Sequence, residues 1–171
     1  MEEFKRLDRE LIHKGSIIDY YKDTILVPNG NIVKWDFIGH KGAAAVVPIT
    51  SEGKIVMVRQ YRNALDRYTW EIPAGGLDTP EEPTKVAAKR ELEEETGYKA
   101  TTIEFLISVR TAVAFCNEKI DIYVALGLSK GVQNLDEDEF INVFEFSIEE
   151  LMEMIFNGKI EDNKSISAIL A

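Results

Sequence analysis

The chain has 171 residues, a formal net charge of −10, one cysteine and two histidines. This length fits one domain with a sizeable core, and the single cysteine excludes an internal disulfide. Because histidine and cysteine are so scarce, any metal should be held by oxygen ligands. The acidic balance disfavours a nucleic-acid partner. We find no apolar run long enough to cross a membrane and no secretion signal, so we expect a cytoplasmic protein.

The first 60 residues are predicted to form mostly antiparallel sheet after a short, mobile N-terminus. Residues rich in Ile, Val and aromatics predict short strands over residues 16–21, 24–27, 32–38, 42–49 and 54–59. The tripeptide Pro28-Asn29-Gly30 predicts a hairpin, because Asn and Gly tolerate the positive φ of tight turns. Residues 50–53 predict a second hairpin turn.

The pattern then alternates between helix and strand. A loop over residues 73–83 precedes a predicted helix over 84–96, and Gly97 suits its left-handed C-cap. Strands are predicted over residues 101–111, 119–126 and 140–146, with an acidic loop at 136–139. Ser147 and Glu150 form a capping box for a second helix that ends at Gly158, and Ser165 is a candidate cap for a third. This order predicts a mixed α/β fold with helices packed on sheet.

The helix over residues 84–96 carries a dense group of glutamates. At about 100° per residue, Glu91, Glu94 and Glu95 fall in one stripe beside the apolar side of the helix, while Glu93 points away. Like charges at this spacing repel, so a cation should compensate them, and carboxylates suit Mg²⁺ or Mn²⁺. Arg90 can neutralise and orient one of these carboxylates. A solvated acidic helix is the alternative interpretation.

A longer spacing pattern surrounds this helix. From Gly76, five residues lead to Glu82, seven more to Arg90-Glu91-Leu92, one more to Glu94-Glu95 and one more to Gly97. This arrangement resembles the signature of the Nudix hydrolase family. Every polar position matches, and only the last position departs, with Tyr98 in place of a bulky aliphatic residue.

The resemblance implies an α/β/α sandwich of mixed sheet with flanking helices, preceded by N-terminal antiparallel strands. We expect residues 1–40 to be a strand element for dimerisation and base binding, and residues 41–171 to be the Nudix hydrolase domain. The resemblance also implies metal ligands and a catalytic group: Glu91 and Glu95 first, Glu94 as a further ligand, the carbonyl of Ala74, and Arg90. Glu82, near the helix start, is expected to be structural or to support the metal ligands without binding the metal itself.

Further segments resemble the ADP-ribose or ADP-sugar pyrophosphatase branch of that family, among them Arg59-Gln60-Tyr61-Arg62 and Trp70-Glu71-Ile72-Pro73. The resemblance implies that Arg62 pairs with a substrate phosphate and that Glu71 assists the diphosphate or ribose. Trp35 is expected to stack on adenine, and the N-terminal strands to exchange in a homodimer. The alternatives are a surface arginine for Arg62 and an interface or core residue for Trp35.

The acidic loop is expected to supply the base for the attacking water, with Glu137 as the first candidate and Glu139 as the alternative. A purely solvated loop is the other interpretation. One departure affects specificity: Ala112-Val113-Ala114 stands where the ADP-ribose branch usually has Ser-Pro-Gly.

The predicted function is therefore Mg²⁺-dependent hydrolysis of the diphosphate bond of ADP-ribose or a related nucleotide sugar, giving AMP and a sugar phosphate. We expect a small-molecule nucleotide-sugar substrate and neither nucleic acid nor a membrane as a partner. Two alternatives stay open. One is a Nudix pyrophosphatase for a dinucleoside polyphosphate, NADH or a nucleoside triphosphate. The other is a non-catalytic sensor of nucleotide sugars.

Overall fold

A computed structural model describes residues 3–171, which form a mixed α/β fold of ten strands and three helices. The elements in chain order are β1 Lys5–Lys14, β2 Asp19–Leu26, β3 Ile32–Gly39, β4 Ala43–Pro48, β5 Ile55–Arg62, β6 Arg67–Glu71, β7 Ala74–Gly76, α1 Thr84–Thr96, β8 Tyr98–Arg110, β9 Lys119–Lys130, β10 Asn142–Phe146, α2 Ile148–Phe156 and α3 Asn163–Leu170. Among the described residues, no helix combines the length and apolar character needed to span a bilayer.

The first compact unit consists of the chain up to Gly42 together with Arg110–Lys119. Its strands form an antiparallel sheet in the order β1-β2-β3. The expectation of a mobile, unstructured N-terminus was wrong for the residues of β1, and residues 16–27 hold one strand, β2, where two were predicted. Both differences have one physical cause: Arg9 of β1 donates two hydrogen bonds of 2.6 Å to Asp23, which lets a charged residue stay buried within β2.

The second compact unit comprises Ala43–Val109 and Ile120–Ala171 and contains two sheets. One sheet has the order β7-β4-β9-β8, and the other has the order β10-β5-β6. The turn over residues 50–53 forms as predicted, but only the bridge between Ile49 and Ile55 joins β4 to β5. The predicted hairpin pairing of β4 with β5 was therefore wrong: β4 pairs in parallel with β9 and antiparallel with β7, in a different sheet from β5.

The β4 strand is buried on both faces, and this explains its continuous apolar sequence. Ala44 and Val46 pack with Ala87, Ala88 and Leu92 of α1 on one face. On the other face, the alternate residues of β4 pack against residues of β5, β9, α2 and α3. The predicted α/β/α sandwich is thus confirmed, and α1 covers one face of the β4 sheet.

The helix ends follow local capping rules. The bounds of α1 are those predicted, and Gly97 adopts a left-handed φ of 72°. The capping box of α2 is present, with reciprocal bonds between Ser147 and Glu150. The expected cap of the third helix was wrong: Asp162 is the N-cap of α3, and its carboxylate accepts the N–H and the hydroxyl of Ser165.

Candidate active site

Two glutamates of α1 point into the protein rather than into solvent. Glu91 and Glu95 are 8% and 3% exposed, one helical turn apart on the side of α1 that also buries Ala87, Ala88 and Leu92. The backbone N–H of Ala74 donates to Oε2 of Glu95 at 2.9 Å, so the loop that begins with β7 fixes this side chain. Two acidic side chains are thus buried side by side on one helix face.

The electrostatics of this pair are unfavourable without a cation. Burial raises the pKa of Glu91 to about 7, although Arg90 opposes the shift and the charges of Glu94 and Glu139 add to it. Burial, and then the charge of Glu91, raise the pKa of Glu95 to about 8, with Glu139 adding and the Ala74 N–H opposing. A positive charge placed between these carboxylates would remove both the desolvation penalty and the repulsion.

Arg90 organises the remaining acidic groups around this pair. Its Nη1 donates to Glu91 at 2.6 Å and to Glu94 at 3.0 Å, and its Nη2 donates to the carbonyl of Gly76 at 3.1 Å. Glu82 lies 3.5 Å from the guanidinium and also accepts the backbone N–H of Asp78 at 2.8 Å. One arginine therefore joins the loop after β7 to the glutamate face of α1.

Gly75 allows the close approach of β7 and α1. A Cβ atom built on Gly75 would overlap the carboxylate of Glu91. Any side chain at this position would displace Glu91, so the glycine keeps open the space that the carboxylate occupies. Gly75, which directly precedes the first glycine of the spacing pattern, thus has a steric reason to be glycine.

The donor set fits a hard divalent cation. Within residues 3–171, no three His, Cys, Asp or Glu side chains are arranged as a complete ligand cage, since Arg90 occupies the space between Glu91 and Glu94. Mg²⁺ keeps several of its waters and needs about one or two carboxylates. Two buried carboxylates with raised pKa values match that requirement.

A second charged network lies on β5, β6 and α3. Arg62 donates two hydrogen bonds of 2.7 Å to the two oxygens of Glu71 in a bidentate pair. Thr69 donates to the first oxygen at 2.7 Å, and the buried Lys164 pairs with the second. Lys164 also pairs with Asp162 at 3.0 Å. The hydrogen bond to Glu71 raises the pKa of Arg62, and the charges of Glu71, Glu95 and Asp162 add to the shift.

This network makes the stability of the protein depend on pH through the ionisation of Glu71. Burial alone would raise the pKa of Glu71, but the hydrogen bond from Arg62 and the charges of Lys164 and Arg62 outweigh it and lower the pKa to about 2. The folded pKa is below the ordinary value of 4.5, so the stabilisation is complete above pH 4.5 and is lost as the pH falls toward 2.

We expect Glu71 to contribute about 3 kcal/mol to the free energy of unfolding at neutral pH, with about 2 kcal/mol of this lost by pH 3. Urea denaturation at pH 6, 4 and 3 measures the loss. Because other carboxylates titrate in the same range, Glu71→Gln is the matched reference, and its stability should fall less than that of the wild type. If the free energy of unfolding fell equally with pH in the wild type and in Glu71→Gln, Glu71 would not be the origin of the acid sensitivity.

The structure places the other predicted residues as follows. The acidic loop follows β9, and Glu137 is exposed there. Glu139 accepts the N–H of Asp136 at 3.2 Å, and its charge acts on both Glu91 and Glu95. Trp35 lies on β3 of the first unit, is 49% exposed, and has its ring 6.0 Å from that of Phe4.

Several polar residues of the second unit were not found from the sequence, namely Thr69, Gln133, Asp162 and Lys164. Lys164 lies 93 residues from Glu71, so no local spacing links them. The one available signal was a lysine within an amphipathic segment near the C-terminal end of the chain, which is ordinarily a surface residue.

The fold is thus a sandwich that carries a buried carboxylate pair on its first helix. The NUDIX domain family model matches residues 39–168. The chain belongs to the Nudix family, whose hydrolases generally use a divalent metal.

Curated relatives extend the similarity over almost the whole chain. The chain is 44% identical to a methanol dehydrogenase activator of Bacillus methanolicus, covering 98% of this chain and 91% of that protein. It is 40% identical to an ADP-ribose pyrophosphatase of Bacillus subtilis with the same coverages, and 34% identical to one of Mycobacterium tuberculosis, covering 99% and 83%. A crystal structure of an ADP compounds hydrolase has the same fold, with a TM-score of 0.86 at 22% identity, covering 99% of this chain and 92% of that one.

Proposed function

We propose that this chain hydrolyses the diphosphate bridge of ADP-ribose or a related nucleoside diphosphate sugar, with Mg²⁺ as the metal. The observation that carries the proposal is the buried pair Glu91 and Glu95, which lacks sufficient positive charge and lies on the helix of the Nudix signature. The substrate class is supported by the two relatives named ADP-ribose pyrophosphatase.

In the proposed reaction, the oxygen of a water attacks one phosphorus, and the bond from that phosphorus to the bridging oxygen breaks. The bridging oxygen leaves with the other phosphate, so ADP-ribose and water give AMP and ribose 5-phosphate. When bound, the metal ion neutralises charge on the diphosphate oxygens and makes the attacking water more acidic. Glu91 and Glu95 would hold it, with Glu94 and the carbonyl of Ala74 as further ligands.

We assign Arg62 to a substrate phosphate and Glu71 to the orientation of Arg62. The bidentate pair uses Nε and Nη2 of Arg62, so Nη1 is the donor assigned to the phosphate. Each oxygen of Glu71 already accepts from two donors, which supports a positioning role over direct contact with the diphosphate or ribose. Lys164 and Thr69 hold Glu71 in that orientation.

We assign the water's proton to a carboxylate of the acidic loop. Glu137 and Glu139 are the candidates, and the electrostatic influence of Glu139 on both Glu91 and Glu95 favours Glu139. The stacking of Trp35 on adenine, the exchange of N-terminal strands in a homodimer and the cytoplasmic location stay predictions. The exposed position of Trp35 on β3 is compatible with a stacking role.

A substrate panel tests the proposal. Purified protein with Mg²⁺ should turn over ADP-ribose in preference to dinucleoside polyphosphates, NADH and nucleoside triphosphates, with AMP and ribose 5-phosphate as products. In the same assay, Glu139→Gln should reduce kcat more than Glu137→Gln, by roughly 100-fold or more if it removes the base. A preference for triphosphates would overturn the substrate class, and tight binding without turnover would favour the sensor.

A second candidate function comes from the 44% identical relative, which is named as a methanol dehydrogenase activator. This chain would then act on a dehydrogenase rather than only on a free nucleotide. Measuring the activity of a purified methanol dehydrogenase with and without this protein distinguishes the two candidate functions. A rise in dehydrogenase activity, absent without the protein, would support the second candidate.

A further inference from the structure

The segment that follows β9 is attached to the C-terminal end of α1. The last carbonyls of a helix have no partner within the helix and need donors from elsewhere. Here the N–H of Asn134 donates to the carbonyl of Glu94 at 3.0 Å, and the N–H of Gly131 donates to the carbonyl of Gly97 at 2.6 Å. The loop that carries the acidic residues therefore caps the helix that carries the buried glutamates.

Gln133 adds the contact that joins both ends of this loop to the helix. Its Nε2 amide donates to the carbonyl of Glu95 at 2.6 Å and to the carbonyl of Ile141 at 3.2 Å. A side-chain amide has two N–H donors, and both have a partner here. Ile141 is buried and directly precedes β10, so one side chain connects the helix end, the start of the loop and its end.

Two glycines make this close approach possible. A Cβ atom on Gly97 would lie 2.8 Å from the N atom of Gln133, and one on Gly131 would lie 2.8 Å from the carbonyl oxygen of Gly97. Either side chain would push the loop away from α1. Gly97, which ends α1, therefore has two roles. It adopts the left-handed conformation, and it lets the loop lie close to the helix.

The backbone partners of the loop are the residues whose side chains form the candidate site. Asn134 binds the carbonyl of Glu94, and Gln133 binds the carbonyl of Glu95, so a shift of the loop relative to α1 changes the distance between Glu139 and both carboxylates. We propose that Gln133 is a positioning residue that holds the acidic loop, residues 136–139, in register with the glutamate face of α1. This inference rests on the proposed function for its catalytic consequence.

The chemistry of the two hydrogen-bond partners of Gln133 decides which substitutions test the proposal. Because both partners are carbonyls, Gln133→Leu removes the donors at similar size, whereas Gln133→Arg supplies N–H donors that can restore the contacts. Asn134→Ala is the matched control, because Asn134 contributes its backbone N–H, which alanine keeps. Each variant is assayed with ADP-ribose and Mg²⁺, and hydrogen exchange of the amides of residues 134–140 is measured without nucleotide.

For Gln133→Leu we expect kcat to fall about 10- to 100-fold with KM within about threefold, because the base is misplaced while substrate contacts remain. Exchange of the loop amides should accelerate, and Gln133→Arg and Asn134→Ala should behave like the wild type. Unchanged loop exchange in Gln133→Leu would overturn the positioning claim whatever the activity. Faster exchange with unchanged kcat would overturn its catalytic consequence. A wild type without turnover of any nucleotide sugar would overturn the proposed function instead.

Discussion

Glu95→Gln should reduce kcat for nucleotide-sugar hydrolysis by about three orders of magnitude or more, because a neutral amide no longer balances the charge of a divalent ion. The substitution keeps the size of the side chain and an oxygen that can accept the N–H of Ala74. It also removes a buried carboxylate that repels Glu91, so thermal stability in the absence of metal should not fall.

Glu93→Gln is the matched control for this loss. Glu93 lies on the same helix two residues away, but its carboxylate pairs with Lys99 at 3.7 Å and is a third exposed. Its replacement removes the same charge from the helix at a surface position, where ion pairs contribute little. Steady-state kinetics should show the large loss of kcat in Glu95→Gln and a kcat close to the wild-type value in Glu93→Gln. Near-full activity of Glu95→Gln, or an equal loss in Glu93→Gln, would contradict the assignment of the metal site.

Lys164→Met should destabilise the protein by about 3–5 kcal/mol, because it removes the cation that Asp162 pairs with and leaves the buried Glu71 with Arg62 as its remaining counter-charge. For a chain of this size we expect the melting temperature to fall by about 10 °C or more. Calorimetry or thermal denaturation measures the change. Adding Glu71→Gln to Lys164→Met should recover part of the loss, since the double variant removes a buried carboxylate that has lost one of its two cations.

An exposed ion pair of the same unit provides the comparison. Arg67 pairs with Glu161, and both side chains are about half exposed. Arg67→Met should therefore cost less than about 1 kcal/mol. If Lys164→Met were no more destabilising than Arg67→Met, the buried network would not contribute the stability assigned to it.

The α1 helix could be predicted from sequence because its determinants are local. The glutamate spacing, the apolar residues on one side and Gly97 at the end lie within one short segment, and the structure has the predicted bounds. The burial of Glu91 and Glu95 also followed from the helical period. Glu94 lies at the edge of the predicted stripe, with its side chain 37% exposed and bonded to Arg90.

The features that sequence reasoning did not find depend on distant partners. The polar sequence of β1 gives no strand signal, and its role follows from the pairing of Arg9 with Asp23. The parallel pairing of β4 with β9 joins segments about 75 residues apart, which no turn motif encodes. The segment Arg110–Lys119 groups with the N-terminal strands, although the predicted division at residue 40 assigned it to the second domain.

Cation binding to the glutamates of α1 is the central claim, and a titration with Mn²⁺ followed by electron paramagnetic resonance tests it directly. The wild type and Glu93→Gln should remove free Mn²⁺ from solution in a saturable way without any nucleotide, and Mg²⁺ should compete. Glu95→Gln should bind far more weakly. Equal Mn²⁺ binding by Glu95→Gln and the wild type would contradict the claim that the buried carboxylates hold the metal.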